Sequence, residues 1–222
     1  MLSQDILQAA IHLRWLFDHG YPKTASIKIV GDRHRLNKAE RQMLYRGVTS
    51  TEAAARRRTL IIPPEDAVGE SLGVDGHNVV PTIANYISGI PVFEADDGII
   101  RDIGALHGRI HNWNVMERSL NLIADALHRL DMTRLSIVFD APISHSRDHA
   151  AYLESKLKDC SGVNVNIVPS GDRALKDAEI GFIATSDSAL IDAVGVPVID
   201  LARIVLEEAF HPVFDTFVPV IN

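Results

Sequence analysis

The 222-residue chain lacks the marks of several protein classes. It has one cysteine, Cys160, so no internal disulfide can form and a cysteine-based zinc site is excluded. A lone thiol fits a reducing cytoplasm. No apolar run approaches the roughly eighteen residues of a membrane-spanning helix, so no membrane partner is expected. Met1-Leu2-Ser3-Gln4-Asp5 has no basic stretch ahead of an apolar core, so no secretory signal is expected. The patterns Gly-x-x-x-x-Gly-Lys-(Ser/Thr), Gly-x-Gly-x-x-Gly and Gly-x-Ser-x-Gly are missing. Their absence removes the usual grounds for P-loop nucleotide hydrolysis, dinucleotide binding and a nucleophile elbow. His107 and His111 stand four residues apart without the Glu of His-Glu-x-x-His, which leaves a zinc site with little support.

The composition is 46% hydrophobic and 23% charged, which suits a globular protein and excludes a disordered one. The net charge of −7 is unevenly spread. Residues 21–60 carry ten Lys or Arg against three acids, +7, whereas residues 61–222 carry −13. A basic head on an acidic body points to an anionic partner. Arg33, Arg35, Lys38 and Arg41 form one basic group and Arg56, Arg57 and Arg58 another. Such cations can neutralise the phosphates of RNA or another nucleic acid. They can equally be a solvated face, or a face docked on the acidic body of the same chain.

The head reads as short helices. Ser3 caps a helix with Ile6, Ala9, Ala10, Leu13, Leu16 and Phe17 at helical spacing. Thr24 opens a second helix that ends near Gly31. Asn37 with Glu40 forms a capping box, and Thr49 with Glu52 has the same spacing. Pro63-Pro64 then marks a boundary between a helical basic region, 1–62, and an α/β domain, 66–222. Beyond it, strands expected at Leu72–Asp75, Leu135–Asp140, Val163–Val168, Ile180–Thr185 and Val196–Ile199 alternate with helices. That order implies a parallel sheet wrapped by helices. Ile90–Ala95 and Ile99–Ile103 flank Asp96-Asp97-Gly98, which signals a hairpin. Apolar residues at the end of the chain, Phe214, Phe217, Val218, Val220 and Ile221, suit either a sheet edge or a second copy in a homo-oligomer.

The aspartates carry the chemistry. Asp75 ends Leu-Gly-Val-Asp, Asp140 ends Ser-Ile-Val-Phe-Asp, Asp200 ends Pro-Val-Ile-Asp, and Asp187 follows Phe-Ile-Ala-Thr by two residues. In a parallel sheet these positions share the carboxyl edge, where ligands of open α/β sheets bind. Carboxylates gathered there repel one another unless a cation binds, and hard oxygens suit Mg²⁺ or Mn²⁺. An aspartate after a strand can also simply cap the next helix. Asp200, before Leu-Ala-Arg, fits that role best. Asp75, followed by Gly76-His77-Asn78, fits it least. Ser144, His145 and Arg147 follow Asp140 in a polar loop that can contact phosphate, although Ser146 can equally cap the next helix.

Val74-Asp75-Gly76-His77-Asn78-Val79 resembles the opening motif of NYN-type nuclease domains in the PIN-like superfamily, an Asp-Gly-(Tyr/His/Asn)-Asn sequence after the first strand. Val138-Phe139-Asp140-Ala141 looks like the second acidic strand end. Ala184-Thr185-Ser186-Asp187-Ser188 is similar to the late Ser/Thr-x-Asp motif. A closer resemblance is to an uncharacterised prokaryotic family that joins a basic helical N-terminal region to a PIN-like domain. It rests on Asp75-Gly76-His77-Asn78, Ala95-Asp96-Asp97-Gly98, Asp140-Ala141-Pro142-Ile143-Ser144 and Ala184-Thr185-Ser186-Asp187, and it covers nearly the whole chain. The resemblance implies a PIN-like fold and Mg²⁺- or Mn²⁺-dependent cleavage of RNA. Asp75, Asp140 and Asp187 would be the metal ligands and Asn78 their polar partner. The chain departs from the motif at Ala189, where a second late acid is expected. Asp96, Asp97 or Asp102 would replace that acid if the hairpin folds over the strand ends, with Asp97 taken as the fourth ligand. Alternatively, Asp96-Asp97-Gly98 is turn chemistry alone. Two other functions stay open: a catalytically inactive nucleic-acid-binding module, or a metal-dependent phosphatase. A haloacid-dehalogenase-like phosphatase would want a second Asp where the chain has His77.

Overall fold

The structure, a computed structural model, describes residues 2–104 and 112–218. His107, His111, Val220 and Ile221 lie outside the described residues. The head contains α1 (Gln4–Asp18), α2 (Lys23–Arg33), α3 (Lys38–Gly47) and α4 (Thr51–Arg58). Ser3 caps α1, and Ile6, Ala9, Ala10 and Leu13 form its buried face. Asn37 and Glu40 close the capping box of α3. Two helix starts differ from expectation. Pro22, with its ring-fixed φ of −63°, precedes α2 and lets it begin before Thr24. Ser50 caps α4, because Thr49 is held elsewhere by a bond from its N–H to the Asp96 carboxylate, 3.2 Å.

The remaining elements are β1 (Ser71–Asp75), α5 (Gly76–Ile87), β2 (Val92–Glu94), β3 (Ile100–Asp102), α6 (Trp113–Arg129), β4 (Arg134–Asp140), α7 (Ser146–Leu157), β5 (Val163–Val168), α8 (Gly171–Lys176), β6 (Phe182–Ala184), α9 (Ser188–Val194), α10 (Leu201–Phe210) and β7 (Asp215–Thr216). The architecture is α/β. Among the described residues the main sheet has four parallel strands in the order β5-β4-β1-β6. Alternation places successive side chains in two different cores. Ile137 and Phe139 join Leu72 and Val74 against α5 and α6, while Val138 joins Leu175, Ile183 and Leu190 on the α8 and α9 side. Val74 pairs with both Ile137 and Ala184, so the carboxyl ends of β1, β4 and β6 lie close to level.

The expected strand Val196–Ile199 reduces to parallel bridges at Val198 with Ile183 and Ile61. Pro197 has no N–H to offer a ladder. Val198 N–H bonds Leu60 O at 2.7 Å, and Ile62 N–H bonds Val198 O at 3.0 Å. The segment just before Pro63 is therefore stitched to the sheet edge.

The hairpin forms as expected. β2 and β3 pair antiparallel around Gly98, whose φ of +84° is the left-handed conformation that favours glycine. β7 adds to β2 in parallel. The hairpin also serves the head. Ile6, Leu13, Leu44 and Val48 share a core with Phe93, Ile103 and Phe217. The rings of Phe93 and Phe217 meet edge to face, 5.4 Å between centroids. Residues 1–62 and 66–222 are distinct in sequence style but share this core.

Candidate functional site

The carboxyl edge of the main sheet collects aspartates from separate strand ends. Asp75 closes β1, and α5 begins at the next residue. Gly76 permits this abrupt start, because a Cβ there would lie 2.5 Å from Cε1 of Phe139. The first turn of α5 brings Asn78 back to Asp75. Asn78 Nδ2 donates to Asp75 Oδ2 at 2.5 Å, and Thr185, just past β6, donates its hydroxyl to the same oxygen at 2.8 Å. Asp75 is only 4% exposed. Burial pushes its carboxyl up to about 6. The Asn78 and Thr185 bonds pull it down, and the charges of Asp172 and Asp187 push it further up.

Asp140 closes β4 and accepts a bond from Gly171 N–H at the start of α8. Asp187 caps α9, accepting from Ala189 N–H at 2.6 Å and Leu190 N–H at 3.0 Å. Asp172 is the acid that sequence reasoning missed. Its carboxyl is raised by lost hydration first, then by Asp187 and, less strongly, by Asp140, while Lys176 opposes. An acid in the first turn of a helix reads locally as a dipole partner, which hid its place at the edge. The expected Asp75, Asp140 and Asp187 thus lie along one edge with Asp172, each from a different loop. Their carboxylates are the hard-oxygen donors available there. Among the described residues, no three or more His, Cys, Asp or Glu side chains form a ready-made metal cage.

Asp97, expected as a fourth ligand, does not join them. It is 1% exposed and faces guanidiniums instead. Arg101 grips it at 2.7 and 2.9 Å, and Arg57 reaches it at 3.3 Å. Burial alone would raise this carboxyl, yet Arg101 and Arg57 hold it below its ordinary value. Asp96 likewise faces Arg14, 2.5 Å away. Asp102 accepts from Gly104 N–H and from Thr82 at 3.3 Å. The hairpin acids tie the head to the body and do not fold over the strand ends. Asp200 is a cap, as its sequence context indicates, receiving Arg203 N–H at 3.1 Å.

The basic head is also rearranged. Arg56 and Arg57 both bind Asp192. Arg58 donates to Asp96 O at 2.8 Å, and Arg41 donates to Leu36 O at 2.8 Å while pairing with Asp32. These four expected nucleic-acid contacts are engaged within the fold. Arg33, Arg35, Lys38 and Arg147 are exposed and make no ion pair among the described residues. Ser146 does not cap α7. It is the first residue of that helix, and its hydroxyl donates to Asp140 O and Ile143 O at 2.7 Å, closing the polar loop.

A different set of cations reaches the edge. Lys23, Arg46 and Arg101 line a cavity of about 200 Å³ together with Asn78, Asp187 and Ala189. A smaller recess of about 50 Å³, lined by Lys23, Arg46 and Arg101 again, also touches Arg57 and Asp97. The Lys23 ammonium is held below its ordinary value by lost hydration first and then by Arg101, Arg57 and Arg46, with Asp187 pulling the other way. Nothing local in the sequence marks Lys23, Arg46 and Arg101 as neighbours. They come from α2, α3 and β3.

Residues 64–204 match the family described as Domain of unknown function (DUF5616). The chain belongs to that family. The DUF5616 segment holds all four edge aspartates and Arg101. Residues 5–59 match a second description, Protein of unknown function (DUF434), and this segment holds Lys23 and Arg46. The cationic cavity is therefore built from both. The chain is also similar to the uncharacterised protein MJ0935 of Methanocaldococcus jannaschii, 26% identical over 205 residues, 91% of this chain and 97% of that protein. Both segments thus recur in one chain there. No solved structure matches significantly.

Proposed function

We propose that the protein is a divalent-metal-dependent ribonuclease of the PIN-like type, acting at the carboxyl edge of its parallel sheet. One observation carries this reading. Asp75 is buried and makes no ion pair among the described residues, and the charges of Asp172 and Asp187 push its carboxyl up. Mutual repulsion among acids from different loops is relieved when a cation arrives. The donor set consists of hard oxygens only, which fits Mg²⁺ or Mn²⁺ and not a soft-ligand metal. Asp75, Asp140, Asp172 and Asp187 would hold the ion. When bound, it supplies Lewis acidity toward a phosphodiester. Asn78 and Thr185 both donate to one oxygen of Asp75, Oδ2, and hold its carboxylate in place. Asp187 and Asp140 each have one oxygen fixed by backbone N–H groups, which orients the other. The exposed Arg33, Arg35, Lys38 and Arg147 draw in a polyanion over longer range.

A second reading has its own support. Ala189 occupies the place of a second late acid, and no cage of three acids stands assembled among the described residues. Those facts favour an RNA-binding module without catalysis. Cleavage of single-stranded and structured RNA with Mn²⁺ separates the two. The parent should cleave, and Asp75→Asn and Asp140→Asn should lose at least about 100-fold, the scale of removing a transition-state charge stabiliser. Equal cleavage by all three proteins rejects the ribonuclease. RNA binding that persists in chelator, with no cleavage by the parent on any substrate, establishes the second reading instead.

A further inference from the structure

We infer that the cavity between the head and the sheet edge is a phosphate subsite, built to hold a phosphate of the RNA strand next to the one at the aspartates. The inference deepens the ribonuclease reading and rests on it for the identity of the strand. The cavity itself argues for an anion. Three cations enter it from three elements: Lys23, Arg46 and Arg101. Among the described residues, Asp187 is the only acid in its wall.

Two of these cations are less fully engaged than the third: Lys23 is exposed, and Arg46 is half-buried with a single long ion pair. Arg46 Nε is buried and has no hydrogen-bond partner among the described residues. Arg46 Nη2 forms an ion pair with the buried Asp102 at 3.8 Å, a contact beyond hydrogen-bond range. Lys23 makes no ion pair among the described residues, and its ammonium sits 4.0 Å from the centroid of the Tyr45 ring. Arg101 plays another part. Its guanidinium is already fixed by Ser186 O at 2.8 Å, by Ser188 at 3.1 Å and by both oxygens of Asp97. It contributes field, while the Lys23 ammonium and the terminal nitrogens of Arg46, which make no hydrogen bond among the described residues, have donors to give.

Size and position narrow the ligand. About 200 Å³ falls below the roughly 300–1,000 Å³ of pockets for drug-sized ligands, so a phosphate fits with its ester carbons but a whole nucleotide does not. Asn78, which is bonded to Asp75, and Asp187 wall both the cavity and the acidic edge. An anion bound here therefore lies beside the carboxylates. Ala189 gains a meaning as well. An acid at that position would bring a second negative charge to the cavity wall, and the methyl group keeps the wall cationic.

The test uses the full chain in EDTA and inorganic phosphate as the probe, titrated against chloride at matched ionic strength and read by ³¹P NMR. The parent should bind. Arg46→Gln, Lys23→Ala and Ala189→Asp should each weaken binding at least tenfold, while Arg129→Gln, remote from the cavity, should leave it unchanged. Circular dichroism identifies any variant that fails to fold, and the other two then decide. A second arm compares 5′-phosphorylated and 5′-hydroxyl RNA oligonucleotides. A preference for the phosphorylated strand that Arg46→Gln abolishes assigns the subsite to a strand end. Equal binding of both strands, weakened by Arg46→Gln, assigns it to an internal phosphate. Phosphate binding unaltered in all three cavity variants overturns the inference, whatever the nuclease result. Phosphate binding lost in those variants, with no RNA cleaved by the parent, keeps the anion site and removes the ribonuclease.

Discussion

Asp75 and Asp97 are the same residue at nearly the same depth, 4% and 1% exposed, in two regions of one molecule. In the hairpin, Asp97 is clasped by Arg101 and Arg57 and is kept ionised. At the strand edge, the hydrogen-bond partners of Asp75 among the described residues are an amide and a hydroxyl, and burial pushes its carboxyl up to about 6. The hairpin is electrostatically closed. The edge is left open to something positive. Burial of an acid therefore does not set its ionisation here, and the identity of its neighbours does.

Breaking the closed side has the largest expected effect. Asp97→Asn leaves the guanidinium of Arg101 buried with a neutral partner. Removing one half of a buried ion pair costs about 3–5 kcal/mol. Urea denaturation should show that loss, and a loss below about 1 kcal/mol would mean that the buried Arg101 guanidinium does not depend on Asp97.

The open side should respond in the opposite sense. The folded-state pKa of Asp75, about 6, lies above the ordinary 3.8, so the folded protein binds the proton more tightly than the unfolded chain. Stability from this group is complete below about pH 3.8 and is lost as pH rises through about 6. The loss approaches about 3 kcal/mol at neutral pH, from roughly 1.4 kcal/mol per pH unit. Asp75→Asn removes the charge. In EDTA at pH 7.5 it should be more stable than the parent, by up to about 3 kcal/mol, and the two should converge near pH 4. Millimolar Mg²⁺ should raise the melting temperature of the parent and leave Asp75→Asn unmoved. A variant less stable than the parent at pH 7.5 contradicts the open-edge picture.

The contrast between the two regions explains what the sequence could show. The run Ser136-Ile137-Val138-Phe139-Asp140 announces a buried strand because β-branched and aromatic residues end on a polar one, and β4 lies there. Asp75, Asp140 and Asp187 were legible for the same reason, since strand ends share an edge in any parallel sheet. Asp172 was not, because its local setting is that of a helix start. The hairpin was legible from Asp96-Asp97-Gly98, yet its turn chemistry says nothing of Arg14, Arg57 and Arg101 arriving from elsewhere. Basic runs misled for a related reason. Arg56-Arg57-Arg58 is conspicuous along the chain, but in space it faces Asp192, Asp97 and Asp96 O. Lys23, Arg46 and Arg101 are inconspicuous along the chain and adjacent in space.

The smallest effect separates those two kinds of cation. Arg56 is 54% exposed in its pair with Asp192, and exposed pairs contribute about 0–1 kcal/mol, so Arg56→Gln should barely change stability. Because Asp192 already engages its guanidinium, RNA affinity should also stay near the parent's. Lys38 is also exposed but makes no ion pair among the described residues. If it meets a phosphate, Lys38→Ala should lower the slope of log affinity against log salt by about 0.7, the value for one contact to a single strand. Fluorescence anisotropy over a salt series reads both variants. A slope change in Arg56→Gln matching that in Lys38→Ala would mean that the Asp192 pair opens when RNA arrives, and the cations of α4 would then belong to the binding face.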